Sequence, residues 1–189
     1  NKSTIQYSQL FPVLTDGQGT LDFGNIWMPR VASSYLLQEH IAVRASISKG
    51  YSAPTLAEVR SSDNLINKEL EAETGTNYEA GLRYNAPNRR FMADIAYYTY
   101  SMKNGIIRQL RDSGAEYYVN AGEMKQQGLE ASIWAYLIQP NTQDAIRSLS
   151  INSNLSYNYY RFGDYQVDDK DYSGNNITAV PDWVWVSQL

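Results

Sequence analysis

Arg44, Glu79, Arg83, Asp94 and Glu130 are acids and bases that all sit on the polar side of segments in which polar and apolar residues alternate. On neighbouring strands, groups of opposite charge at such positions meet and pair. A second group, Tyr51, Arg60, Asp63, Tyr165, Asp169, Tyr172 and Trp183, falls in or beside two long connections at 51–76 and 163–182. Rings mixed with charges suit recognition of a ligand by loops on a rigid scaffold, although a solvated loop has the same composition. Bond-making chemistry finds little support. His40 is the only histidine, cysteine is absent, and no nucleophile–base pair or phosphate-cradling glycine loop occurs. Asp168-Asp169-Lys170-Asp171 lacks the glycine and terminal glutamate of a calcium loop, and Asn176-Ile177-Thr178 reads as a chance sequon. The sequence therefore predicts no enzyme, no metal site and no cofactor.

The segments that must position these groups are strands. From Ser148 to Tyr159 every even position is Ser or Asn, and every odd one except Ser153 is Leu, Ile or Tyr. Side chains alternate across a strand, so one face is wet and the other greasy. Ile41 to Ser48 and Leu129 to Leu137 repeat the split. Further strands are expected at 27–37, 77–85, 90–108 and 117–138, with a last one entered at Trp183 and one short strand near 6–14 in an otherwise loop-like start. Thr55 to Arg60 has room for one helical turn. The 90–108 and 117–138 strands approach 20 residues each, well past the roughly 9–11 that cross a bilayer, so they are expected to project beyond it.

Two architectures fit alternation: a wall between lipid and water, or a secreted soluble β-sandwich that binds carbohydrate or mediates adhesion. The connections favour the wall. They are short at 38–40, 86–89 and 139–147, and longer at 51–76, 109–116 and 163–182, as in a membrane barrel with short turns at one end and long loops at the other. The 16 tyrosines suit aromatic girdles. Tyr97, Tyr98, Tyr100, Tyr157, Tyr159 and Tyr160 gather near strand ends, where cross-strand packing predicts the same residues. A net charge of −4 with no basic stripe argues against nucleic acid as a partner. No apolar run is long enough for a membrane-spanning helix. Asn1 to Thr4 shows no leader pattern and Leu189 falls inside an apparent strand, so the chain reads as a segment of a larger protein.

Four stretches, in order, resemble the barrel of TonB-dependent outer-membrane receptors. They are Pro29 to Tyr35 with Ser48 to Glu58, which holds Tyr51-Ser52-Ala53-Pro54; Leu70 to Arg83, which holds Tyr78-Glu79-Ala80-Gly81; Tyr118 to Gly122 leading to Gly128-Leu129-Glu130; and Tyr172 to Asn176 leading to Val180-Pro181. The resemblance implies an all-β, antiparallel up-and-down meander of about seven or eight strands. It would be part of a 22-stranded transmembrane barrel, with residues 1–189 forming a partial barrel domain that lacks the plug and the first and last strands. It further implies import of an iron–siderophore complex, haem or cobalamin, with outer-membrane lipid, the receptor's own plug and the TonB complex as partners. Under that reading Arg44, Glu79, Arg83, Asp94 and Glu130 face the lumen. There they form either an ion-pair lattice gripping the plug or an ordinary solvated wall.

Overall fold

The computed structural model describes residues 2–8, 18–140, 146–167 and 170–189. The chain opens with a hairpin of β1 (Lys2–Ser8) and β2 (Gln18–Asn25). The main body follows: β3 (Arg30–Gln38), β4 (Ile41–Ser52), β5 (Glu73–Asn85), β6 (Phe91–Leu110), β7 (Glu116–Ile138) and β8 (Leu149–Phe162). A small hairpin of β9 (Gln166–Val167) and β10 (Lys170–Asp171) precedes the last strand, β11 (Trp183–Gln188). β3 to β8 and β11 make a single seven-stranded antiparallel sheet in which each strand pairs with the next along the chain. This is the expected meander. The other sheets among the described residues are the two-stranded hairpins β1–β2 and β9–β10, neither large enough to form the second layer of a sandwich.

The register assigns every side chain to a face, because directly opposed residues of an antiparallel pair lie on the same side. One row runs Val43, Leu82, Ile95, Ala131, Leu155, Trp185, and the row beside it Ala45, Ala80, Tyr97, Leu129, Tyr157, Trp183. Between them, on the opposite face, lies Arg44, Gly81, Ala96, Glu130, Ser156, Val184. The apolar face is bare: Val31, Ile47, Leu82, Ile95, Ile133, Trp183 and Trp185 are all exposed. A face of this kind has no partner in water and is matched by lipid. Ser153, the exception to the alternation, also lies on it. Its hydroxyl accepts from Trp185 Nε1 at 2.8 Å and pairs with the Ser187 hydroxyl at 2.9 Å, so the polar atoms satisfy one another.

Strand pairing extends the two longest strands well past their neighbours. β6 and β7, of 20 and 23 residues, pair as far as Leu110 with Glu116 and so project as a hairpin past the other strands, at the end with the long connections. The 53–72 connection contains the expected helical turn, α1 (Leu56–Val59), started by a capping box. Glu58 N donates to Thr55 Oγ1 at 3.3 Å and Thr55 N to Glu58 Oε2 at 2.7 Å. Val59 and Leu70, at 0% and 4% exposure, pack under this loop, so the best-shielded apolar side chains lie above the sheet rather than within it.

Three elements differ from the sequence reading. β2 was expected as loop, yet Leu21 and Phe23 alternate with Thr20 and Asp22, and pairing with β1 completes the hairpin. β1 begins and ends earlier than the 6–14 strand, whose later part lies outside the described residues. The 163–182 connection contains the β9–β10 hairpin, too short to show a period.

Candidate functional site

On the polar face, four of the five charges expected to pair do so. Gly81 lies directly opposite Arg44 and leaves its side chain room to cross β5 to Asp94 on β6: a Cβ at Gly81 would fall 2.7 Å from Arg44 Cζ. Arg44 holds Asp94 in a two-pronged contact, Nη1 to Oδ2 at 2.8 Å and Nη2 to Oδ1 at 2.7 Å. Its Nε lies 3.3 Å from Glu79 Oε1. Arg83 Nε reaches Asp94 Oδ2 at 2.6 Å. Asp94, only 18% exposed, is thus the shared acceptor of two guanidiniums, the geometry in which carboxylate–arginine bonds are strongest. Glu130 is exposed and lines the same open hollow of about 510 Å³ with Arg44, Arg83, Asp94 and Asn154.

Nearer the loops the same face turns aromatic. Tyr98 lies across Gly128, where a Cβ would come within 2.4 Å of its hydroxyl oxygen. That hydroxyl meets Tyr160 Oη at 2.7 Å and donates to Asn158 Oδ1 at 3.3 Å. The six clustered tyrosines therefore divide by parity. Tyr97, Tyr157 and Tyr159 fall on the apolar face, and Tyr98, Tyr100 and Tyr160 on the polar one.

At the loop end, both long connections close on the projecting β6–β7 hairpin. From one side, Ser62 N donates to Glu116 O at 2.9 Å and Asn67 Nδ2 to Tyr118 O at 2.9 Å. Asn120 then accepts from Glu71 N at 2.8 Å and donates to Glu71 O at 2.9 Å and Asn104 O at 2.7 Å. From the other, Glu123 N donates to Asp164 O at 3.0 Å. Asp63 pairs with Arg111 Nε at 3.3 Å, Arg111 stacks 4.5 Å over the Tyr117 ring, and Tyr117 Oη donates to Gln109 at 2.6 Å. Tyr165, close to the Gln109 side chain, packs between Phe162 at 4.7 Å and Tyr172 at 5.8 Å.

Charge states here follow from these contacts. The Ser61 hydroxyl, then the Leu65 amide and Arg111, hold the Asp63 carboxyl below its ordinary value, as Ser173 does for Asp171. Burial pushes the Tyr165 phenol up.

The structure thus gathers Asp63, Tyr165 and Tyr172 around one hairpin tip. Arg60 lies nearby, donating to Asn64 Oδ1 at 2.6 Å. Tyr51 stands apart at the end of β4, its hydroxyl buried beside Ser3 of β1. Trp183 begins β11 on the apolar face, stacked 4.6 Å from Tyr157, as a girdle residue would be. Asp169 lies outside the described residues. Sequence reasoning missed Gln109, Arg111 and Tyr117, although the length of the two strands already placed them at a projecting tip.

One family matches residues 6–187, that described as TonB dependent receptor-like, beta-barrel. The chain belongs to this family. Membership makes the sheet part of a bacterial outer-membrane barrel, with its apolar face toward lipid and its polar face toward the lumen. The ferric enterobactin receptor PirA of Pseudomonas aeruginosa is 27% identical over 89% of this chain and 24% of its own length. Two solved structures share the fold at a TM-score of 0.57 each. The FrpB iron transporter from Neisseria meningitidis is 22% identical, over 87% of this chain and 23% of that one. The siderophore receptor PirA from Acinetobacter baumannii is 17% identical, over 89% and 27%. The chain spans about a quarter of the length of these relatives.

Proposed function

We propose that this chain is a wall segment of a 22-stranded receptor that imports an iron–siderophore complex across the outer membrane, its projecting hairpin and two braced loops forming part of the external ligand surface. The observation that carries the reading is the similarity to a ferric enterobactin receptor along nearly the whole chain. The geometry supports it. Arg60, Arg111, Tyr117, Tyr165 and Tyr172 put guanidiniums and rings at the loop end, and these suit an anionic, ring-bearing iron chelate. On the luminal face, the Arg44–Glu79–Asp94–Arg83 lattice, with Glu130 beside it, offers fixed charges to a plug in the same receptor, to be exchanged when the TonB complex pulls.

The test is uptake of radiolabelled iron by cells carrying the full-length receptor, with a ferric catecholate, haem and cobalamin supplied in turn. Uptake confined to the iron chelate, and reduced tenfold or more by Arg111→Ala with Tyr165→Ala, is the expected result. Uptake of haem or cobalamin alone would overturn the ligand. Unchanged chelate uptake in the variant would remove the hairpin tip from the site.

A further inference from the structure

The apolar face has a charged upper border. Immediately toward the loops from the row of Ile47, Tyr78, Thr99, Gln127 and Tyr159, the register places Lys49, Thr76, Ser101, Lys125 and Arg161 side by side on the same outward face. The next row adds Tyr51, Thr74, Lys103 and Glu123. Four cations thus stand against one carboxylate, and that carboxylate is engaged by Ser101 at 2.7 Å and Lys125 at 3.4 Å. Arg161 leans back over the Tyr159 ring, 4.1 Å from its centre, which sets its charge at the edge of the apolar band.

Between the strands this border is concave. Lys49, Lys103, Thr74, Thr76, Ser101 and Trp27 line a hollow of about 350 Å³. Two ammonium groups and the two threonine hydroxyls form a donor set for a phosphate oxygen cluster, the Ser101 hydroxyl being given to Glu123. Trp27, 87% exposed at its rim, has the amphipathic ring of a headgroup-level residue. We propose that this border is a binding site for an anionic lipid of the loop-side leaflet, its phosphate headgroup held by Lys49 and Lys103 and its acyl chains lying down the outward face of β4 and β5, past Ile47 and Tyr78 to Val43 and Leu82. The lipid, rather than free phosphate, is specified by position: the donors adjoin a greasy surface that only chains can cover. The proposal rests on the apolar face meeting lipid and is independent of which nutrient is imported.

The test uses the full-length receptor in bilayer discs of equal parts phosphatidylglycerol and phosphatidylcholine, with retained lipid identified by native mass spectrometry. The wild-type receptor is expected to retain phosphatidylglycerol preferentially. Lys49→Gln with Lys103→Gln should weaken that preference by about fivefold per lysine removed, and Lys103→Arg should preserve it. Folding of each variant is checked by its heat-dependent shift on a gel. Equal retention of both lipids by the wild type would overturn the site whether or not the double variant folds. A folded double variant with undiminished preference would do the same. Displacement of the lipid by millimolar inorganic phosphate would make it an ion site and overturn the lipid assignment. Iron-chelate uptake is read separately, so failure of the transport reading leaves this result standing.

Discussion

Asp94 is the residue on which the luminal lattice depends, since both Arg44 and Arg83 point their guanidiniums at it and Glu79 takes only the remaining Nε of Arg44. Asp94→Asn is therefore expected to destabilise the full-length barrel by about 1–2 kcal/mol, after allowance for the solvent around Arg83. Glu79→Gln should cost less than half as much, and urea unfolding in detergent measures both. Equal losses would mean that the charges act as a diffuse field and not through the shared carboxylate. Gly81 makes the same point from backbone chemistry: Gly81→Val puts carbon where the Arg44 guanidinium passes and should mimic loss of the Asp94 contact. At the loop end, Asp63 is acidic enough to remain charged through mildly acid conditions. A carboxyl with a depressed folded-state value adds stability that is present above its unfolded value of 3.8 and is lost as pH falls through the lower folded one. Protection of the 61–66 amides against hydrogen exchange should accordingly be unchanged from pH 7 to pH 5; loss by pH 5 would show that the Arg111 contact does not hold the loop.

At the scale of elements, the 53–72 loop behaves as a docked piece and not as free chain. Asn120 alone supplies two of its anchoring hydrogen bonds, both to the Glu71 backbone, while a third to Asn104 O ties its own side chain to β6. Asn120→Ala should release the loop at a cost of about 1–3 kcal/mol, read as faster amide exchange over residues 66–72 with the sheet unaffected. Sheet exchange rising in parallel would mean that the loop and the hairpin fold as one unit. The sequence showed that a long loop and a long hairpin exist, because length and turn residues are local properties. It did not show that they embrace, because Ser62 with Glu116 and Glu71 with Asn120 lie about fifty positions apart and polar pairs carry no period.

For the whole molecule, the two faces predict opposite responses to charge. Ile95→Lys, in the middle of the apolar band, should lower barrel stability in a bilayer by about 2–4 kcal/mol. Asn154→Lys, on the luminal face of the neighbouring strand pair, should change it by less than about 0.5 kcal/mol. Comparable losses would mean that the apolar face does not meet lipid. The contrast follows from solvent: the same seven strands present hydrocarbon on one side and water-accessible charge on the other, with few side chains buried between.

Alternation with period two, together with the turn residues, was enough to place the main strands, the polar and apolar membership of most residues and the order of short and long connections, which favours a membrane-barrel wall over a sandwich. Each of these is written within one strand or one turn. The tertiary structure alone decided which strands lie side by side and in what register, and register decides partners. It joined Arg44 to Asp94 across fifty residues, sent Tyr97 outward and Tyr98 inward at the same level, put Trp183 on the apolar face against Tyr157, and lined up Lys49, Lys125 and Arg161 along one border. A one-residue slip would exchange every face, and that choice is fixed by cross-strand hydrogen bonds between distant segments rather than by any local pattern.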